Sequence, residues 1–430
     1  MMAHYDWCCS ASINPATDSI HIHKVAGYGN DSEQSTSATF DITSNSQWME
    51  FIEETEDRVN VEGGAGAYDV MRCDLMYRLS EDHHPMEPVW KVWGEDFHLK
   101  RLTVSYRSLL QHMDDATTSD AQVDKALESS RAVIRGLLME AHSADIMKSR
   151  APPVETKVND VTIQLTKLTV LWTPKHNEKG DTDIIVRGHA CSSCKPVQIH
   201  KRPSPIVATL ALPIEKTDNE SKTTKRESAL PSRFRSPQNK VASWCRLRKP
   251  LEDPDNYKPS GVGEVLMVRS ATSGEKVILE GLTSNFFVIY KDGTVRTAEK
   301  GVLFGYVRHL VIDCVERVGL RMEYSPILMD DATNGLWESA FITSSSRLIY
   351  PISRILIPEI SQDRNDKDST DRGVSFREFW TDPALVDGEE YLNEPAMPQW
   401  LNILNELLIV GGYEAPGDSN MLKGSQSSKF

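Results

Sequence analysis

The hydrophobic pattern of the chain is sharpest between residues 277 and 312. Two apolar runs, near 277–280 and 285–290, have the length and the aromatic and β-branched content of buried strands. Asp292-Gly293 follows them as a two-residue hairpin turn. Beyond it Val307, Leu310, Val311, Cys314, Val315 and Val318 recur at helical spacing, which predicts a helix from about Tyr306. Upstream, a Gly-rich stretch at 63–66 leads into a predicted strand. Leu102, Tyr106, Leu109, Leu110 and Met113 then share one helical face, and Val123, Leu127, Val133, Ile134, Leu137 and Leu138 line a longer helix. Strands are predicted over 158–172, 206–214 and 263–271, and on both sides of the Ser344–Ser346 turn; residues 397–408 form a last amphipathic helix.

The intervals between these elements suggest the organisation. Residues 1–48 are a polar, poorly patterned leader, and 150–155 read as a linker. Together the elements predict an α/β (α+β) protein of two parts, a small N-terminal α/β domain at 1–150 and a larger domain at 151–413. Residues 215–239, charged and rich in Ser and Thr, read as a mobile surface insertion, and 417–430 as a disordered tail. No internal repeat is visible.

Composition narrows the class of partners. A net charge of −14 argues against nucleic acid and anionic membranes, since nothing offsets phosphate repulsion over the surface as a whole. Seven cysteines in 430 residues do not make a disulfide scaffold, and an odd number leaves at least one free. With no secretory-type start and no apolar run of membrane-spanning length, a cytoplasmic protein is expected.

One residue breaks the apolar pattern. Glu280 ends a buried strand, and an ionised carboxylate there must find a cationic partner or lose heavily in desolvation. Lys240 stands just after the insertion, entering an apolar segment, and Lys249 is a second candidate. Lys240 and Glu280 on neighbouring strands, beside the start of the helix at Tyr306, would bring together three kinds of chemistry. A lysine amine can join an aldehyde, a carboxylate can hold a protonated ring nitrogen, and free helix N-terminal amides suit a phosphate. The combination describes a pyridoxal 5'-phosphate site.

Four segments carry a family resemblance: 97–102 (FHLKRL), 279–298 (LEGLTSNFFVIYKDGTVRTA), 302–313 (VLFGYVRHLVID) and 341–352 (FITSSSRLIYPI). Taken in this order they resemble the fold-type IV, or class IV, pyridoxal-phosphate enzymes, which include branched-chain and D-amino-acid aminotransferases and aminodeoxychorismate lyases. The resemblance implies a small N-terminal domain, a larger pseudo-barrel domain and a homodimer. It matches Lys240 to the cofactor-binding lysine, Glu280 to the pyridinium partner and Arg101 to the phosphate arginine. The backbone amides of Tyr306 and Val307 match the phosphate cradle, and Ser345 the assisting hydroxyl. The chain departs from the family at Phe304-Gly305-Tyr306-Val307, where the family commonly has Pro-Gly-Ile-Thr, and at Cys245, where branched-chain enzymes place a tyrosine.

The implied activity is transfer of an amino group from an amino acid or small amine to a 2-oxo acid. A lyase of the aminodeoxychorismate type, or a catalytically silent binding or regulatory relative, is the alternative. Separately, His189, Cys191, Cys194 and His200 could ligate zinc or form a redox pair. No second C-x-x-C supports a metal site, and inert thiols without metal are the simpler reading.

Overall fold

A computed structural model describes residues 5–13, 20–24, 66–77, 89–112, 118–141, 162–176, 182–193, 197–198, 203–212, 238–254, 257–271, 273–360, 374–385 and 398–413. It is a mixed α+β structure built on two sheets. The first contains β1 (Tyr5–Ile13), β2 (Ile20–Lys24), β3 (Ala67–Tyr77), β4 (Val89–Val92), β5 (Thr162–His176), β6 (Thr182–Ser193) and β7 (Val197–Gln198). Its order is β2-β1-β6-β5-β3-β4, with β7 beside β5. Helices α1 (Glu95–His112) and α2 (Asp120–Ala141) cover one face. Leu99, Leu102, Tyr106, Val133, Ile134 and Leu137 pack there on Met71, Leu168, Val170 and Trp172. At Gly188 of β6 a side chain would strike Leu137 at 2.9 Å, so α2 lies directly on the strand.

The second sheet closes on itself. Its strands are β8 (Ile206–Ala211), β9 (Val262–Ser270), β10 (Lys276–Gly281), β11 (Asn285–Tyr290), β12 (Thr294–Thr297), β13 (Arg321–Glu323), β14 (Ile327–Leu328), β15 (Trp337–Ser344), β16 (Leu348–Ile360) and β17 (Val374–Thr381). The path β11-β15-β16-β8-β9-β10 returns to β11 through one register pair, Glu280 with Asn285. Alternation assigns the two faces of the ring. Phe286, Val288 and Ile342 belong with Ala208, Leu210, Leu266 and Ile278. Phe287, Ile289 and Phe341 turn the other way, onto α4 (Tyr306–Arg317) and α6 (Gln399–Val410). The remaining helices are α3 (Ser243–Glu252) and the short α5 (Met329–Thr333).

Four expectations are corrected. Residues 162–198 belong to the first sheet, so the change of sheet falls between 198 and 206 rather than near 150. The leader supplies β1 and β2, whose pairing comes from a neighbouring strand rather than local periodicity. Residues 182–193 form a 12-residue strand outside the strands predicted above. Lys240 is not on a strand; it precedes α3, next to an isolated bridge between Val241 and Ala67. The linker at 150–155, nearly all of 215–239 and the tail at 417–430 lie outside the described residues.

A buried polar cluster fastens the C-terminal helix to the first sheet. Asp74 on β3 accepts hydrogen bonds from Arg72 Nε at 2.8 Å, Trp93 Nε1 at 2.7 Å and the Tyr413 hydroxyl. Trp93 stacks on Tyr413, and Lys91 Nζ lies 5.2 Å from each ring centroid.

Candidate active site

The segment after the insertion docks on the first sheet and its covering helix. Ser105 on α1 accepts from the Lys240 amide at 2.9 Å, and Ser108 from the Asn239 side chain at 2.6 Å. The Lys240 carbonyl accepts from Tyr68 N, and Gly66 O accepts from Ala242 N. These bonds fix the Lys240 backbone regardless of the long sequence before it. Its amine lies 5.3 Å from the Tyr68 ring centroid and 4.0 Å from Asp69 Oδ1.

Asp69, on β3 and wholly buried, is the centre of the cluster. Arg101 grips it with a two-pronged fork, Nε to Oδ2 at 2.8 Å and Nη2 to Oδ1 at 2.6 Å. His98 Nδ1 is 3.0 Å from Oδ1, and the Val70 amide donates to it at 2.7 Å. Burial alone would raise the Asp69 pKa, but Arg101 and His98 outweigh it and hold the carboxyl well below its usual range. Burial lowers His98, so its ring is neutral near pH 7 despite the opposing pull of Asp69. Burial also lowers Lys240, to about 8, against the attraction of Asp69 and with the repulsion of Arg101 and Lys167.

The other half of the site comes from the closed sheet. Glu280 is 5% exposed, and its Oε2 accepts from the Leu303 amide at 2.9 Å and from Asn285 Nδ2 at 3.1 Å. Asn285 also donates to Leu303 O at 2.6 Å. Gly305 is required here because a side chain would run into Asn285 Oδ1. Leu303 and Phe304 link the halves, since Phe304 O accepts from Arg101 Nη1 at 2.9 Å. An unbroken series of contacts therefore runs from Lys240 through Asp69, Arg101 and the 303–304 turn to Glu280.

The turn delivers the chain to α4. Gly305 caps that helix with extended backbone and no side-chain bond, which leaves its first amides to be met from outside. Tyr306 turns its ring onto Gly94, Phe97 and His98; a side chain at Gly94 would lie 2.5 Å from it. Val307 is buried in the core. Ser345 lies in the turn between β15 and β16. Arg72 Nη1 donates to Ser346 O at 3.2 Å, and Arg347 lies 3.7 Å from the buried Glu264. Glu264 in turn accepts from Thr283 and Ser284 in the loop after Glu280. Leu348, at φ 60°, carries left-handed backbone as the turn closes.

Among the predicted residues, Lys240, Arg101, Tyr306 and Glu280 join this network, whereas Lys249 is exposed on α3. The sequence reading missed Asp69 and His98. The signals were present, an aspartate inside an apolar strand and a histidine one helical turn before Arg101. Cys245 is buried against Tyr68, and burial followed by the nearby Cys245 raises the Tyr68 hydroxyl. Cys191 Sγ and His189 Nε2 are 2.8 Å apart inside β6. Cys194 and His200 fall outside the described residues, among which no group of metal-ligating side chains occurs.

The donor set fits pyridoxal 5'-phosphate: a largely buried lysine amine, an arginine beside an uncapped helix N-terminus, and a buried carboxylate past the turn. Residues 201–355 match the family model described as amino-transferase class IV. No curated protein matches the chain. Among solved structures, the chain is similar to the branched-chain amino acid aminotransferase from Escherichia coli. Identity is 16% over 70% of this chain and 81% of that one, with a TM-score of 0.41. The branched-chain aminotransferase of Thermoproteus uzoniensis with norvaline aligns at 13% identity over 83% and 88%, TM-score 0.47. A fold IV-transaminase of Curtobacterium pusillum aligns at 18% over 81% and 90%, TM-score 0.41. No helix among the described residues is long and apolar enough to cross a membrane.

Proposed function

We propose, from the match of residues 201–355 to the class IV amino-transferase family model and the geometry of the site, that the chain is a pyridoxal-phosphate-dependent aminotransferase. It moves an amino group from an amino acid or small amine to a 2-oxo acid, with a homodimer as the working unit. The observation that carries the reading is the continuous series Lys240–Asp69–Arg101–Phe304/Leu303–Glu280, which joins the sheet that docks the lysine to the sheet that holds the carboxylate.

Lys240 is the amine that would hold the cofactor covalently. Glu280, held in place by Leu303 and Asn285, would serve the ring nitrogen. Arg101 and the first amides of α4, at Tyr306 and Val307, would receive the phosphate, with Ser345 as the assisting hydroxyl. When bound, the cofactor supplies an electron sink for the carbanion left by loss of the substrate α-proton. Lys240 Nζ accepts that proton, and a pKa lowered to about 8 suits an amine that must shed and regain a proton near neutral pH. Glu280 contributes negative charge that keeps the opposing nitrogen protonated.

The test is spectroscopic and kinetic. Protein mixed with pyridoxal 5'-phosphate gains a visible absorbance band, which an amino-acid substrate bleaches and a 2-oxo acid restores. Turnover that needs no 2-oxo acid points instead to a lyase, and a protein that takes up no cofactor points to a silent relative.

A further inference from the structure

Asp69 touches both cations of the candidate site, Arg101 and Lys240. Its two oxygens accept the Nε and Nη2 hydrogens of Arg101, and Oδ1 lies 3.0 Å from His98 Nδ1 and 4.0 Å from Lys240 Nζ. The fork leaves Arg101 turned so that Nη1 reaches Phe304 O, at the entrance to α4. An arginine has five N–H groups in a rigid plane, so fixing two edges fixes the direction of the rest. A carboxylate without solvent contact is tolerated only where donors and cations saturate it, and here they are the two cations the site needs. Tyr306 closes the cluster from the far side, its ring 5.6 Å from that of His98.

Building on the aminotransferase reading, we propose that Asp69 is a positioning residue shared by Arg101 and Lys240, which aims the arginine toward the α4 N-terminus and holds the lysine beside it as counter-ion. His98, neutral and wholly buried, supports the carboxylate at Oδ1, the oxygen nearest Lys240. The groups acting on the Lys240 amine are Asp69 and Tyr68 from β3, Arg101 and His98 from α1, Lys167 from β5 and Cys245 from α3. Asp69 is the closest anion among them. Removing its charge leaves the repulsion of Arg101 and Lys167 unopposed; removing Arg101 takes away one of those repelling cations and leaves the Asp69 charge in place beside Lys240. The two substitutions therefore move the lysine in opposite directions.

Reductive methylation of the full chain with formaldehyde and a borohydride, read at Lys240 by mass spectrometry across pH, gives the protonation midpoint of that amine without any cofactor. Asp69→Asn should lower the midpoint by roughly one pH unit or more. Asp69→Glu should bring it back toward wild type, and Arg101→Gln should raise it. Coincident midpoints for wild type and Asp69→Asn would overturn the proposal. Should Asp69→Asn fail to fold, an Arg101→Gln midpoint that stays put or falls overturns it equally. Failure of the aminotransferase reading is seen separately: pyridoxal 5'-phosphate would then leave no borohydride-stable adduct on wild-type Lys240, whatever the midpoints do.

Discussion

Glu280 allows a substitution pair that separates architecture from chemistry. Its Oε2 accepts the Leu303 amide at 2.9 Å and Asn285 Nδ2 at 3.1 Å. Asn285 has a second acceptor in Leu303 O, so the Leu303 amide is the group left stranded when the carboxylate is deleted. Losing the acceptor of a buried donor costs about 1–3 kcal/mol, so Glu280→Ala should destabilise the protein by that amount. Glu280→Gln keeps an acceptor oxygen in place and should cost under about 1 kcal/mol. Its effect falls on chemistry: an adjacent anion raises the pKa of a protonated nitrogen by about 1–3 units, so turnover should drop roughly 10- to 1000-fold. Denaturant unfolding measures the first quantity and single-turnover amino transfer the second. The reasoning is refuted if Glu280→Gln unfolds as readily as Glu280→Ala, or if it turns over like wild type.

Two further predictions concern stability. Tyr413→Phe removes a donor to the buried Asp74 carboxylate, which Arg72 and Trp93 also contact; the expected loss is about 1.5–3 kcal/mol in urea unfolding, with no change in the Lys240 methylation midpoint. Asp382 is 1% exposed, and burial raises its carboxyl to about 6. The folded state therefore binds the proton more tightly than the unfolded chain, and this group's contribution falls as pH rises from about 4 to 6. Asp382→Asn should be more stable than wild type at pH 7, by on the order of 2 kcal/mol, with the difference vanishing near pH 4. Unfolding curves at the two pH values check the sign.

How much of this could be read from the sequence depends on how local each signal is. Residues 285–317 were legible because strand, Asp-Gly turn and amphipathic helix each carry their own periodicity, and the structure places β11, β12 and α4 there. Strands β1 and β2 were not, since their polar residues pair only because β6 lies alongside. The same rule applies to the site. Glu280 stood out as a charge in an apolar run, as Asp69 could have. That Asp69 belongs with Arg101, 32 positions later, and with Lys240 beyond the insertion, follows from how β3, α1 and the 238–242 segment pack, which no window of sequence contains. The surroundings of Glu280 are a case in point: the structure supplies an amide and an asparagine as hydrogen-bond donors, and the Arg308 guanidinium is near enough to act on the carboxylate by charge.

The central claim is that one particular lysine bonds to the cofactor. Incubating the full chain with pyridoxal 5'-phosphate, reducing with borohydride and mapping the labelled peptide tests it directly. The account predicts a single pyridoxyl group on Lys240, lost in Lys240→Ala and retained in Lys249→Ala. Label on Lys249, or on no lysine at all, would contradict it.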